Sequence, residues 1–177
     1  MTTNNEMMTA IFRNGNDAGK AYQELIRRGY AQNEISVITS ETTRNQYFSN
    51  DASAATQNID AGNKTAEGTG IGAAVGGTVG AIVGAIAAIG TSVVLPGLGL
   101  IVAGPLAAAL AGAGAGGATG GIIGAFVGSG IPEDRAQEYE AALRDGAIIL
   151  GFYPRSDTEA NEVQDVWKSY NGDMMHR

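Results

Sequence analysis

The chain of 177 residues contains no cysteine. Disulfide bonds, thiolate nucleophiles and thiolate metal sites are therefore excluded. The sequence has a single histidine, His176, in a C-terminal tail that we expect to be frayed. From these absences we predict no metal site, no cofactor and no catalytic residue.

Basic residues are also scarce. The chain has 11 Lys and Arg and 18 Asp and Glu, which gives a formal net charge of -7. Phosphate binding depends on clustered Lys and Arg, so this balance argues against a nucleic-acid partner. The N-terminal stretch "MTTNNEMMTAIF" has neither a basic start nor an apolar core and does not resemble a secretory signal. We expect the globular part of the protein to lie in the cytoplasm.

Charge is missing altogether between Gly68 and Ile131, a run that holds most of the 27 glycines. Every Lys, Arg, Asp and Glu lies in the flanks, residues 1–67 and 131–177. Neither flank alone has enough apolar surface to offset the entropy of folding. We therefore predict one small domain built from both flanks, with 68–130 as an insertion and 41–67 as a mobile surface segment.

The flanks predict an α/β (α+β) sandwich, with β-α-β before the charge-free run and α-β-α after it. The expected elements are a strand at 8–14, a helix capped by Asn16 and ended by Gly29, a strand at 34–40, a helix from Pro132 to Gly146, a strand at 147–153, and a last helix. That last helix should dock through Ala160, Val163, Trp167 and Tyr170.

Within the charge-free run, glycine recurs every fourth residue in two series. They comprise Gly68, Gly72, Gly76, Gly80 and Gly84, and, after the "LPGLGL" break, Gly112, Gly116, Gly120, Gly124 and Gly128. A spacing of four places these glycines on one helix face, where another backbone can approach closely. We predict that the two series mediate helix packing and self-association.

Length favours a long helical hairpin with Pro96-Gly97 at its tip. Each arm of about 25 residues would reach ~37 Å, enough to cross a hydrocarbon core of ~30 Å. This predicts a homo-oligomer anchored in a lipid bilayer, on the cytoplasmic side of the inner membrane. The alternative is a soluble filament or shell with the hairpins as its apolar core. A monomer with such a hairpin exposed to water is excluded by its apolar surface.

Sequence features that resemble enzyme motifs have simpler interpretations. "GAGAGG" (112–117) satisfies a dinucleotide-binding pattern but follows no predicted strand, and "GNDAGKA" (15–21) lacks the spacing and the hydroxyl residue of a P-loop. The acids Glu133, Asp134, Glu138 and Glu140 suit a solvated helix beginning. We expect Tyr139 and Trp167 in the core, and no small-molecule site can be identified.

Two stretches, "TAIFRNGNDAGKAYQELIRRGYAQNEISVITS" (9–40) and "GIPEDRAQEYEAALRDGAIILG" (130–151), resemble the bacterial general stress protein family typified by YflT, a heat-induced stress protein. The resemblance covers most of the chain except about 41–67 and the last helix. It implies a stress-induced bacterial protein, with a glycine-zipper hairpin as in many relatives. The family pattern supplies no catalytic residue to carry over.

Overall fold

A computed structural model describes residues 7–43, 93–95, 99–112, 123–124, 126–127 and 131–176. In chain order its elements are β1 (Met8–Phe12), α1 (Gly15–Arg27), β2 (Ile35–Ser40), β3 (Val93–Leu95), β4 (Leu100–Ala103), α2 (Pro105–Gly112), α3 (Glu133–Arg144), β5 (Ile148–Phe152), α4 (Asp157–Ser169) and β6 (Asp173–His176). An antiparallel sheet with packed helices confirms the predicted α+β class.

The six strands form one sheet in the order β3-β4-β2-β5-β1-β6. Every neighbouring pair is antiparallel, so β1 and β2 run parallel to each other on either side of β5. The predicted β-α-β half is therefore a split unit, with a strand from the C-terminal half between its two strands. The strands β1, β2, β5 and β6 with α1 and α4 have the β-α-β-β-α-β connectivity of ferredoxin-like sheets.

Side chains alternate between the two faces of the sheet, as pleated strands require. Phe12, Leu150 and Phe152 lie on the first face, with α1 and α4. Ile11 and Ile149 lie on the second face, with α2, α3 and Phe126. The molecule thus has three layers, and helices cover both faces of the sheet.

The docking stripe of the last helix is confirmed, because Ala160, Val163 and Trp167 are fully buried and Tyr170 packs at the edge of the same cluster. The Trp167 ring meets Phe12 and Phe152 edge to face at 5.7 and 5.3 Å. Its Nε1–H donates to the carbonyl of Ala21 at 3.3 Å. This indole therefore ties α4 to both the sheet and α1.

Two helix starts differ from the prediction by one or two residues. Asn14, not Asn16, caps α1, and its side chain accepts a hydrogen bond from the Asn16 amide at 2.8 Å. Pro132 is the residue before α3 and not its first helical residue. Both differences fall within the usual uncertainty of helix ends.

The centre of the charge-free run forms two strands, and not the tip of the predicted helical hairpin. β3 and β4 pair antiparallel, with Val93 opposite Val102 and Leu95 opposite Leu100, and β4 also pairs with β2. Pro96 and Gly97, the expected helical tip, lie outside the described residues in the connection between these two strands. β-Branched residues such as Val and Ile favour strands, and β4 is buried on both faces. The structure does not show the long inserted helical hairpin.

The C-terminal tail is also more ordered than expected, because β6 pairs with β1 and places His176 opposite Thr9. The chain reverses at Asn171, which has a positive φ of 56°. The prediction of a frayed tail is wrong for residues 173–176, since β1 offers an edge with which they can pair.

Candidate functional site

The structure describes two of the ten glycines predicted to pack helices. Gly112 is the last residue of α2, and Gly124 lies in the short helical piece formed by residues 123–124 and 126–127. The remaining eight, Gly68, Gly72, Gly76, Gly80, Gly84, Gly116, Gly120 and Gly128, lie outside the described residues. The candidate site therefore consists of α2, this helical piece and the surface that they present.

The beginning of α2 is fixed to the sheet by a close backbone contact. Gly104 has a φ of +83°, and a Cβ at this position would lie 2.2 Å from the carbonyl oxygen of Ile35. The hydroxyl of Ser36 accepts a hydrogen bond from the Leu106 amide at 3.2 Å. Leu106 and Ala107 are buried against the second face, whereas Ala108 is exposed.

The helical piece at 123–127 is held by Phe126, which is 2% exposed. Its ring packs edge to face on Tyr139 of α3, with 5.6 Å between the ring centroids. The Tyr139 hydroxyl forms a buried 2.5 Å hydrogen bond with the Thr9 hydroxyl of β1. Burial raises the pKa of Tyr139 and keeps its phenol neutral. Tyr139 is thus a core residue, as the sequence predicted.

Beside Phe126, the same helical piece presents an open outer surface. Gly124 is exposed, and a Cβ built on it would meet no atom of the described residues within 4 Å. Val127 is 44% exposed. Residues three apart on a helix share a face, so among the described residues these two form a small apolar patch. We call Gly124 and Val127 the open face.

The acids of α3 form a solvated helix surface. Arg135 pairs with Glu138 at 3.0 Å, and Arg144 pairs with Glu140 at 2.5 Å. Glu133 and Asp134 lie in the first turn, where the helix dipole favours negative charge. Across the described residues, no group of three or more His, Asp or Glu side chains could hold a metal ion. The "GNDAGKA" stretch forms the beginning of α1.

A polar cluster between the end of α1 and the beginning of α4 was not found from the sequence. The Arg155 guanidinium lies 4.2 Å from the centroid of the Tyr30 ring and donates to the carbonyl of Gly29 at 3.0 Å. Glu159 accepts from the Tyr30 hydroxyl at 2.8 Å and from the Arg155 amide at 2.9 Å. These contacts provide a hydrogen-bond donor for a backbone carbonyl just after α1 and attach that end of the helix to α4. The contacts of Tyr30 and Gly29 with Arg155 and Glu159 join residues over 100 positions apart, so local spacing gives no signal for them.

Among the described residues, no helix combines the length and the hydropathy that a bilayer crossing requires. Comparison of the chain with protein-family models, with curated proteins and with solved structures finds no match.

Proposed function

We propose that this chain is a non-enzymatic bacterial stress-response protein that self-associates and attaches to membranes through its glycine series. In this proposal the α+β domain is a platform, and the glycine-rich helices on its second face supply the contact surface. The stress-response setting is supported by the resemblance of residues 9–40 and 130–151 to the YflT-type family. The contact surface is supported by the open face.

Gly124 is the observation that carries the proposal. Glycine in an exposed helix costs about 1 kcal/mol relative to alanine. No described neighbour makes glycine necessary at this position for steric reasons, because a Cβ there would meet no described atom within 4 Å. The missing side chain leaves room for the backbone of a second helix, which is how glycines spaced by four pack helices together. A second copy of the chain provides such a helix.

The sheet limits how a membrane can be involved. Ser40 in β2 and Val93 in β3 belong to one sheet, so both lie on the same side of any bilayer. The chain between them therefore crosses a bilayer an even number of times or not at all. Its charge-free part, residues 68–92, has about the length of a single crossing, which takes about 20 residues. The attachment that we propose is at the bilayer surface, on the cytoplasmic side of the inner membrane.

Replacing Gly124 by leucine tests the contact surface. The added side chain points into open space, so we expect an intact fold and at least about a tenfold weaker self-association, since lost close packing of 1.4 kcal/mol corresponds to that factor. Light scattering coupled to size-exclusion chromatography over a range of concentrations measures the association. Flotation with anionic lipid vesicles, without detergent, measures the attachment.

Ala141→Leu is the matched control, because Ala141 is an exposed helical residue among the charged side chains of α3. It adds a similar apolar side chain away from the open face and should leave association unchanged. A wild-type protein that stays monomeric at every concentration and remains at the bottom of the gradient would contradict the proposal. Regular particles that do not float would support the alternative of a soluble assembly.

A further inference from the structure

The turn between α4 and β6 is an asparagine followed by a glycine, Asn171-Gly172. This dipeptide can modify itself, because glycine has no side chain to hinder the attack of its backbone nitrogen on the asparagine Cγ. The bond from that nitrogen to Cγ closes a five-membered succinimide ring, and the bond from Cγ to Nδ2 breaks. Nδ2 leaves as ammonia with the proton of the attacking amide. Water then opens the ring to aspartate or isoaspartate, so asparagine counts among the thermolabile residues.

In the folded chain, both nitrogens that would react are held in hydrogen bonds. The Gly172 amide, which would attack, donates to the carbonyl oxygen of Trp167 at 2.8 Å. Nδ2 of Asn171, which would leave, donates to Oδ2 of Asp17 at 3.0 Å. Ring closure has to break the first bond to free the attacking nitrogen, and the second to let the side chain rotate. The folded turn therefore slows the reaction.

Packing gives a reason for both residues of the dipeptide. Asn171 has a φ of 56° and its amide donates to the carbonyl of Lys168 at 3.1 Å, so it occupies the left-handed position of a Schellman motif at the end of α4. Asparagine tolerates this conformation better than most residues. At Gly172, a Cβ would lie 2.9 Å from the Trp167 carbonyl oxygen and 3.1 Å from the Phe12 ring. The geometry of the turn therefore favours the reactive dipeptide itself.

The protection of this turn depends on β6, which follows it directly. β6 has four residues and pairs with β1 through His176 opposite Thr9 and Asp173 opposite Ile11, with a shift of register between them. The ion pair of Arg13 with Asp173, at 3.7 Å, joins side chains that are both more than half exposed, and such pairs contribute little. Short, irregularly paired elements open at a lower free energy than elements anchored in the core. We therefore expect β6 to open before the rest of the sheet.

We propose that Asn171-Gly172 is a self-modification site whose reaction is controlled by the opening of β6. When β6 leaves β1, the turn loosens, both hydrogen bonds break and the ring can close. The product then opposes re-closing, because a carboxylate at position 171 would face that of Asp17, whose side chain is only 16% exposed. An isoaspartate also adds one methylene to the backbone of the turn. A transient opening thus becomes permanent, and this site does not depend on glycine-mediated association.

A second Asn-Gly pair in the chain, Asn14-Gly15, is the matched control. Asn14 is also exposed, but it caps α1, a helix of 13 residues that its buried apolar side chains anchor in the core. We would incubate the folded wild-type protein in warm, mildly alkaline buffer and follow both sites by peptide mass mapping. We expect Asn171 to be modified at least about tenfold faster than Asn14, which corresponds to an opening free energy about 1.4 kcal/mol lower. In urea, where no fold protects either pair, both should react at similar rates and faster than in the folded protein.

Asn171→Asp imitates one product and tests its effect on β6. The amides of Asp173–His176 should exchange at least about fivefold faster, which corresponds to about 1 kcal/mol. Asp17→Asn combined with Asn171→Asp should restore slow exchange, because donor and acceptor change places. Trp167 fluorescence confirms that both variants are folded.

Two results would overturn the control of the reaction by β6. One is a reaction at Asn14 that is as fast as that at Asn171 in the folded protein, and the other is an equal rate at Asn171 with and without urea. Unchanged exchange in Asn171→Asp, or faster exchange that the double variant does not reverse, would overturn the permanent opening.

Discussion

Replacing Gly104 by alanine is expected to destabilise the domain by about 3 kcal/mol or more. The backbone there has a φ of +83°, which costs a residue with a side chain about 1–2 kcal/mol. The new Cβ would also lie 2.2 Å from the Ile35 carbonyl oxygen and 2.7 Å from its carbon, and forcing atoms into a packed site costs about 1–3 kcal/mol more. Urea denaturation followed by the fluorescence of Trp167, the single tryptophan, measures the loss.

Gly99→Ala separates the cost of the positive φ from the cost of the steric clash. Gly99 also has a positive φ, +61°, but a Cβ there would meet nothing within 4 Å. We expect this variant to lose only the backbone contribution, about 1–2 kcal/mol. Equal stability losses at both positions would mean that β2 and the beginning of α2 are not in close contact.

Phe126→Ala is expected to cost about 3–5 kcal/mol, the range for truncating a buried phenylalanine. Phe126 belongs to the charge-free run, yet its ring lies under the sheet against Tyr139. Its removal would open a cavity between the helical piece and α3. The free energy of unfolding from urea titrations is the measurement, and the large cost would show that this end of the run belongs to the folded domain.

Val127→Ala is the neighbouring control. Val127 is 44% exposed, so its truncation should change stability by no more than about 0.5 kcal/mol. A small effect at Phe126 with an equal effect at Val127 would place this segment outside the core. A large effect at Phe126 alone would show that one side of the segment is buried while the open face is free.

Helices and strands that begin and end at capping or turn residues could be predicted from the sequence. α1, α3 and α4 have helical spacing of apolar residues, and β1, β2 and β5 are short apolar or β-branched stretches between turn residues. The strand order could not be predicted, because the pairing of β5 between β1 and β2 depends on contacts over 100 residues apart. β6 carries little strand signal of its own and depends on its pairing with β1.

The charge-free run shows why the candidate site was only partly predictable. Stretches such as Val93–Leu95 and Leu100–Ala103 are too short for periodicity to separate a buried strand from a buried helix. The four-residue glycine spacing around them favoured one continuous hairpin. Gly124 is one of the glycines that the spacing singles out, and its role in contacts stays a prediction. The hydrogen bond from the Leu106 amide to the Ser36 hydroxyl, which anchors α2, could not be predicted from the sequence.

We propose that the charge-free run is part domain core and part contact surface, and amide hydrogen exchange tests that division most directly. In protein without lipid, the amides of Leu100–Ala103 should exchange as slowly as those of Ile148–Phe152, because both strands lie inside the same sheet. If Leu100–Ala103 instead exchange at the rate of an exposed turn and become protected only when vesicles are added, these residues are the tip of a membrane hairpin and the account is wrong.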